Sequence, residues 1–503
     1  MFQASANSRA GSGASSVSWR IKNKKLLYIS DQLPGPPTIP ILGNALQIVG
    51  PPEELTNTIG RYLQEYGDVF RVWIGPDLNI FVNDPDDIKT LLKSQKTSIK
   101  GPQYKYIKDY CGSGLLSGSG PSWRICRKTV LPNYGKKALE AYDEVINHEA
   151  NETVKRLVTK SGGKTFNIYD DVVLGTTYTV CQTLMGLTRE QTIDLPNINA
   201  FLQDLFFFSI YLIVFMRMTK WYLQVDPFYW MTKYYQKQKT LIKNITEIAN
   251  TNVKHRLKIL ESMDESMVKE ILNAEGDSTH NTELSVIDRL LLSNQPPSHE
   301  ELAKQWFTLF SSQEATAKIT SYALLMMAFH PECQEKVYAE IKEVFEDNVR
   351  DVTENDLKLM PYLDMVFKEV IRLFPIGVML QRTIAEDIEI SKATLPAGSS
   401  LVVPIYHLHR DKRHWTNPNA FEPERFRPEN SRLRHPNCYM PFSLGPMDCI
   451  GRYFAIKLVK TICIKVLQKF RLTSPESYED MRLVMAISVV SVNGYPVQVH
   501  PRN

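Results

Sequence analysis

Residues 441–451 read Pro-Phe-Ser-Leu-Gly-Pro-Met-Asp-Cys-Ile-Gly, and an apolar helical run follows from Tyr453. An aromatic side chain (Phe442), a glycine (Gly445), a single cysteine (Cys449) and a second glycine (Gly451) stand at fixed offsets. That order suits a thiolate held at a helix N-terminus, where exposed amides and the positive end of the dipole favour ionised sulfur. Glycines let backbone approach a flat ligand, and amides beyond the cysteine can donate to its sulfur and tune its potential. One cysteine with no second cysteine or histidine beside it points to haem chemistry. Zinc and iron–sulfur sites need several ligands. The plain alternative is a small buried hydrophobe, the commonest use of a lone cysteine.

Three more patterns place charge where it could act. Trp123 and Arg127 lie four residues apart, so an indole N–H and a guanidinium share one helix face and could hold a carboxylate. Glu369 and Arg372, three apart, can pair on a helix, although most such pairs decorate surfaces and are worth about 0–1 kcal/mol. Glu314 lies in the middle of a long apolar pattern and is followed by Ala315 and Thr316. A mid-helix glutamate is ordinarily solvated or salt-bridged.

The elements that must carry these residues are mostly helical. The central one reads from Ser298, which forms a capping box with Glu301, to His330, stopped by Pro331. At 1.5 Å per residue it would run roughly 50 Å, enough to cross a domain. Residues 53–66 read as an amphipathic helix, and residues 69–74 and 78–82 alternate around Gly75-Pro76-Asp77 as a hairpin. Asp84-Pro85 opens another helix. From about residue 139 to 330 the periodicity is helical, so the fold class is mainly α with a small β-rich part. Residues 274–282 form a polar, low-complexity loop.

Apolar content of 43% supports a large core, and a net charge of +4 gives no case for nucleic acid. Seven cysteines, odd in number and scattered, fit a reducing compartment. No run reaches the roughly 18 apolar residues of a spanning helix. The block from 205 to 216 is apolar but too short to span; it reads either as a core helix or as a membrane-touching roof. Residues 1–18 are rich in Ser, Ala and Gly and lack acids, which suits a missing anchor, a presequence or a simple tail.

The cysteine loop resembles the haem-binding loop of cytochromes P450, Phe-x-x-Gly-x-Arg-x-Cys-x-Gly, in four of its five fixed positions; Met447 stands for the family's Arg. Other motifs follow in order over residues 33–503. They are a Leu-Pro-Gly-Pro-Pro hinge at 33–37, the Trp-x-x-x-Arg of 123–127, the Glu-x-x-Arg of 369–372 and Phe-Glu-Pro-Glu-Arg-Phe at 421–426. His409-Arg410-Asp411, Arg434-His435-Pro436 and His330-Pro331-Glu332 resemble the animal family 4 group, insect lineages in particular.

The resemblance implies a P450 fold with haem between the long central helix and the cysteine loop. Residues 1–32 form a basic tail (Arg20, Lys22, Lys24, Lys25) and residues 33–503 one catalytic domain. Cys449 becomes the axial ligand of haem b (iron protoporphyrin IX). Trp123, Arg127 and Arg382 take the propionates, and Phe442, Gly445 and Gly451 frame the loop. Glu369, Arg372 and Arg425 form a structural triad. Glu314 and Thr316 become the acid and hydroxyl of the proton relay, with Ala315 where the family usually has its threonine. Thr316 is rotated from that position by about 100°, and Ser312 or a water can substitute. Ser311 stands where many family 4 members carry a glutamate linked to haem, so no such link is expected.

The function implied is insertion of one oxygen atom from O2 into a lipophilic small molecule of fatty acid, odorant or xenobiotic type. Electrons would come from NADPH through NADPH–cytochrome P450 reductase, docked on the basic helix of Arg124, Arg127 and Lys128. The setting would be a membrane surface on the cytosolic face of the endoplasmic reticulum, or the mitochondrion. Ala315 keeps a peroxide isomerase or dehydratase open, and Met447 with Ala315 a haem-binding protein without turnover.

Overall fold

The computed structural model describes residues 23–48, 50–273, 282–346, 348–485 and 487–502. Residues 1–22, with Arg20 and Lys22, and nearly all of the 274–282 loop lie outside them.

Helix α1 (Pro52–Tyr66) starts at proline, whose missing N–H costs nothing in a first turn, and ends at Gly67 with φ +84°. Strands β1 (Val69–Ile74) and β2 (Asp77–Val82) pair antiparallel from Val69↔Val82 to Ile74↔Asp77, the hairpin expected from the alternation. Helix α2 (Pro85–Lys93) is capped by Asp84, whose carboxylate accepts from the amides of Asp86 and Asp87 at 3.0 Å each. Then follow β3 (Ile99–Lys100), α3 (Gly120–Val130), α4 (Asp143–Val158), α5 (Tyr169–Thr183), α6 (Asp204–Thr219) and α7 (Lys233–Ser262). The rest of the frame is α8 (His299–Phe310), α9 (Ser312–Phe329), α10 (Pro361–Leu373), β4 (Leu380–Thr383), β5 (Ser400–Val403), α11 (Arg452–Lys469), β6 (Leu483–Met485) and β7 (Val489–Ser491).

The sheet has strand order β1-β2-β5-β4-β3, with β2 and β5 parallel and the other pairs antiparallel. It stands to one side of a helical body, as the mainly α reading requires.

The long central helix is not continuous. Ser311 divides it into α8 and α9. The hydroxyls of Ser311 and Ser312 donate back to the carbonyls of Thr308 and Leu309 at 2.8 and 2.7 Å, and the Ala315 amide lies 3.5 Å from the Ser311 carbonyl. Serine side chains that compete for backbone carbonyls loosen a helix at such a point. Only half of the capping box forms: the Glu301 amide donates to Ser298 Oγ at 3.2 Å, while the Glu301 carboxylate serves the Ser113 amide and Gln305.

Helix α9 runs through the core, packed on α5, α10 and α11. Tyr322 stacks on Phe374 with ring centroids 4.0 Å apart, and Leu324, Leu325, Met326 and Met327 are wholly buried. Burial of each such side chain is worth about 1.5–3 kcal/mol.

The apolar block of α6 belongs to the core. None of residues 206–216 is exposed, and Phe207 stacks on Phe307 at 5.8 Å. The exposed apolar surface begins after it, at Trp221, Tyr222, Phe228, Trp230 and Met231. Among the described residues no helix is long and apolar enough to cross a membrane.

Candidate haem site

The cysteine loop is closed by its own backbone. The Cys449 amide donates to the Phe442 carbonyl at 3.0 Å and the Asp448 amide to the Gly445 carbonyl at 3.1 Å. Gly445 has φ +78°, and a Cβ there would fall 2.3 Å from the Leu92 carbonyl. The end of α2 by itself therefore requires glycine there. Gly451, at φ −86°, is the N-cap of α11 and has only Tyr134 near its missing side chain, at 3.8 Å. The Arg452 guanidinium sits 5.4 Å from the centre of the Phe442 ring.

The Cys449 side chain keeps exposed surface just ahead of the start of α11. Burial pushes its thiol up, against the Gly451 amide that donates to it and the charges of Arg452 and Arg127. A metal bound there would take that proton, because a coordinating thiol loses it outright.

From Gln305 to Ala328 every residue is buried except Thr308, Ser311, Ser312 and Ala315, which fall on one helix face at spacings of three and four. This open face presents two hydroxyls at the helix break beside the alanine. Glu314 is off it and wholly buried, accepting from the Tyr211 hydroxyl at 2.9 Å and paired with Lys318. The Thr316 hydroxyl is bonded within its own helix, to the carbonyls of Ser312 and Gln313 at 3.0 Å each.

The residues expected at the carboxylate end are brought near one another, each with a protein partner. Arg127 donates to the carbonyl and carboxylate of Asp448 at 2.8 and 2.7 Å, and lies 5.6 Å from the Trp123 ring. Trp123 Nε1 donates to the Leu115 carbonyl at 3.3 Å, and Arg382 to the Gln381 carbonyl at 3.0 Å. A cavity of about 340 Å³ is lined by Trp123, Arg124, Arg382, Pro446 and Met447 among others.

Lys100 is the residue that sequence reasoning missed. It is the cross-strand partner of Arg382 in the β3–β4 ladder, so two cations stand opposite each other on one face. Like charges so placed repel. Burial, then Arg382 and Arg127, push the Lys100 ammonium well down from its ordinary range. Such a cluster suits a dianionic ligand end, and two haem propionates supply that charge. The residues fit haem.

Behind the loop, Glu369 accepts from Arg372 Nε and Nη2 at 2.6 and 2.7 Å, from Arg425 Nε at 3.2 Å and from the Glu422 amide at 2.9 Å. Arg372 and Arg425 also donate to backbone carbonyls between His409 and Ala420, and Arg425 pairs with Glu422 at 2.9 Å. His409 Nε2 accepts from the Met440 amide at 3.0 Å, which carries this network to the start of the cysteine loop. Burial, then Arg372 and Arg410, lower His409 to about 3, so it is a neutral acceptor.

A family model for cytochrome P450 matches residues 33–496. Cytochrome P450 4c3 of Drosophila melanogaster is 29% identical over 500 residues, covering 97% of this chain and 92% of that protein. Cytochrome P450 4V2 of Homo sapiens is 30% identical over 476 residues (92% and 88%), and cytochrome P450 4d2 of Drosophila melanogaster 31% over 481 (93% and 94%).

Proposed function

The chain belongs to the cytochrome P450 family, and on that premise we propose that it oxidises a lipophilic small molecule with electrons drawn from NADPH through a reductase. It is a haem-thiolate monooxygenase that uses O2, an organic substrate and a redox partner. The haem supplies dioxygen activation, favoured by thiolate ligation.

We assign Cys449 as the axial ligand, framed by Phe442, Gly445 and Gly451. Lys100, Arg382, Trp123 and Arg127 form the polar end that would hold the propionates. Arg127 shares its charge with Asp448, which leaves Lys100 and Arg382 the larger part. The exposed side chains of Arg124 and Lys128 on α3 are the docking charges for an acidic reductase surface. Residues 33–503 act as one catalytic domain, and Trp221, Tyr222, Phe228 and Trp230 suit contact with the cytosolic face of the endoplasmic reticulum membrane.

The observation that carries the substrate class is the aromatic wall made by α6 and α8. Phe206, Phe207 and Phe307 stack or meet edge to face in the core between α6 and α8 without a charged group among them, surroundings that suit a lipophilic substrate. Glu314 and Thr316 remain our assignment for the relay acid and hydroxyl. On the open face Ser311 and Ser312 carry hydroxyls that donate within the helix and keep lone pairs for a water, which could then link them to Glu314.

A second reading, rearrangement or dehydration of a peroxide without O2 or reductase, is favoured by Ala315 on the open face and the Thr316 hydroxyl turned into its helix. Turnover of a fatty acid panel separates the two. Hydroxylated product that requires NADPH and reductase supports the monooxygenase assignment of substrate and donor. Product from lipid peroxide without reductase supports the second reading. Ligand binding with no product under either condition overturns both.

A further inference from the structure

The acid of the open helix does not stand alone. Glu314 and Lys318, one turn apart on α9, form an ion pair in which neither side chain has any exposure. The second carboxylate oxygen accepts from Tyr211 of α6, and the ammonium donates to Ser488 Oγ, 3.3 Å away beside β7, while lying 5.1 Å from the Tyr211 ring. Three elements thus meet on one buried charge pair: the central helix, the roof helix and the C-terminal hairpin. A glutamate N-terminal to a lysine at this spacing is the favourable order on a helix. Even so, a buried pair offers little net stability over an apolar one, because desolvation cancels much of the attraction. Its retention in the middle of the core calls for another use.

We propose that Lys318 is the positioning residue of Glu314. With Tyr211 and Ser488 it holds the carboxylate in one orientation, off the face formed by Ser311, Ser312 and Ala315. The Tyr211 phenol is neutral, pushed well above its ordinary value by burial and then by the Glu314 charge, so it acts only as a donor. Cys111, the nearby thiol, is held protonated by burial, at about 12. Lys318 acts through Glu314 and touches no reacting atom. The inference rests on the monooxygenase reading for its effect on turnover, but the pairing itself does not.

The test uses the full chain loaded with haem, with reductase and a fatty acid that turns over. Lys318→Met is expected to raise hydrogen peroxide released per product by about tenfold, the scale of a weakened acid step. Lys318→Arg is expected to restore the ratio. The double variant Lys318→Met/Glu314→Gln should leak no more than Glu314→Gln alone, because both changes act on one group. An unchanged ratio in folded, haem-loaded Lys318→Met overturns the proposal. So does a double variant that leaks more than Glu314→Gln. If Lys318→Met does not fold, Tyr211→Phe removes the third partner with the pair intact; a raised ratio supports the proposal and an unchanged one overturns it. If the wild type shows no reductase-dependent turnover, the functional reading fails separately. Thermal unfolding of the Glu314/Lys318 variants then decides: coupling supports the pairing, and additive losses overturn it.

Discussion

Lys100 shows how a position unremarkable in sequence becomes part of a site. Its meaning depends on the register Lys100↔Arg382, set by two strands far apart along the chain, and no local pattern announces that. Cys449, by contrast, stood out in the sequence by its spacing from the flanking aromatic and glycines, and Met447 by comparison with the family's loop pattern. The structure adds a reason for one of those glycines, since Gly445 makes room for the end of α2. Lys100→Met should therefore shorten haem retention by about tenfold, which corresponds to about 1.4 kcal/mol, and Met447→Arg in that background should recover much of it. Haem transfer to an acceptor protein measures this, and unchanged retention in Lys100→Met would remove Lys100 from the site.

Histidine chemistry belongs to the same scale. Burial is the first cause that lowers His407 to about 4 and His409 to about 3 from a usual 6.5. Both are neutral in the folded protein, so on acidification the unfolded chain takes up protons first. Their contribution to stability is full above about pH 6.5 and is lost progressively toward pH 4 and 3, at about 2 kcal/mol each by pH 5. Thermal unfolding between pH 7 and 5 should show that slope, reduced in His409→Asn; a flat profile would contradict the burial argument.

Elements explain why the reading of the long helix went partly astray. Apolar periodicity from 298 to 330 was real, but hydroxyls on two adjacent serines compete with the backbone, and the helix divides at Ser311. Periodicity carries no information about that competition. It did place α1, the hairpin and the Asp84 cap, because each is fixed by local chemistry. The triad was legible through its two motifs, and the structure adds what they brace: the backbone from His409 to Ala420, and through His409 the start of the cysteine loop. Glu369→Gln leaves the buried Arg372 guanidinium without its anion and Arg425 with Glu422 alone, and should cost about 3–5 kcal/mol. A melting experiment on the haem-loaded protein that finds less than about 1 kcal/mol, the ordinary value of a surface pair, would deny the triad its bracing role.

At the scale of the whole molecule, the mainly α fold with a small sheet was readable from composition and period, and the family match over residues 33–496 agrees with it. The surface was less legible. Of the two readings of the block at 205–216, the core one holds for residues 206–216, and an aromatic surface lies just beyond at 221–231. An apolar run does not say which of its neighbours it meets. The central claim is that Cys449, presented by a loop that lacks the family arginine, ligates haem as a thiolate while Lys100 and Arg382 hold the other end. The carbon monoxide difference spectrum of the reduced protein tests it most directly. The account predicts the red-shifted band of thiolate ligation, abolished in Cys449→Ser. A haem-loaded protein that shows only the band of a neutral ligand would contradict it.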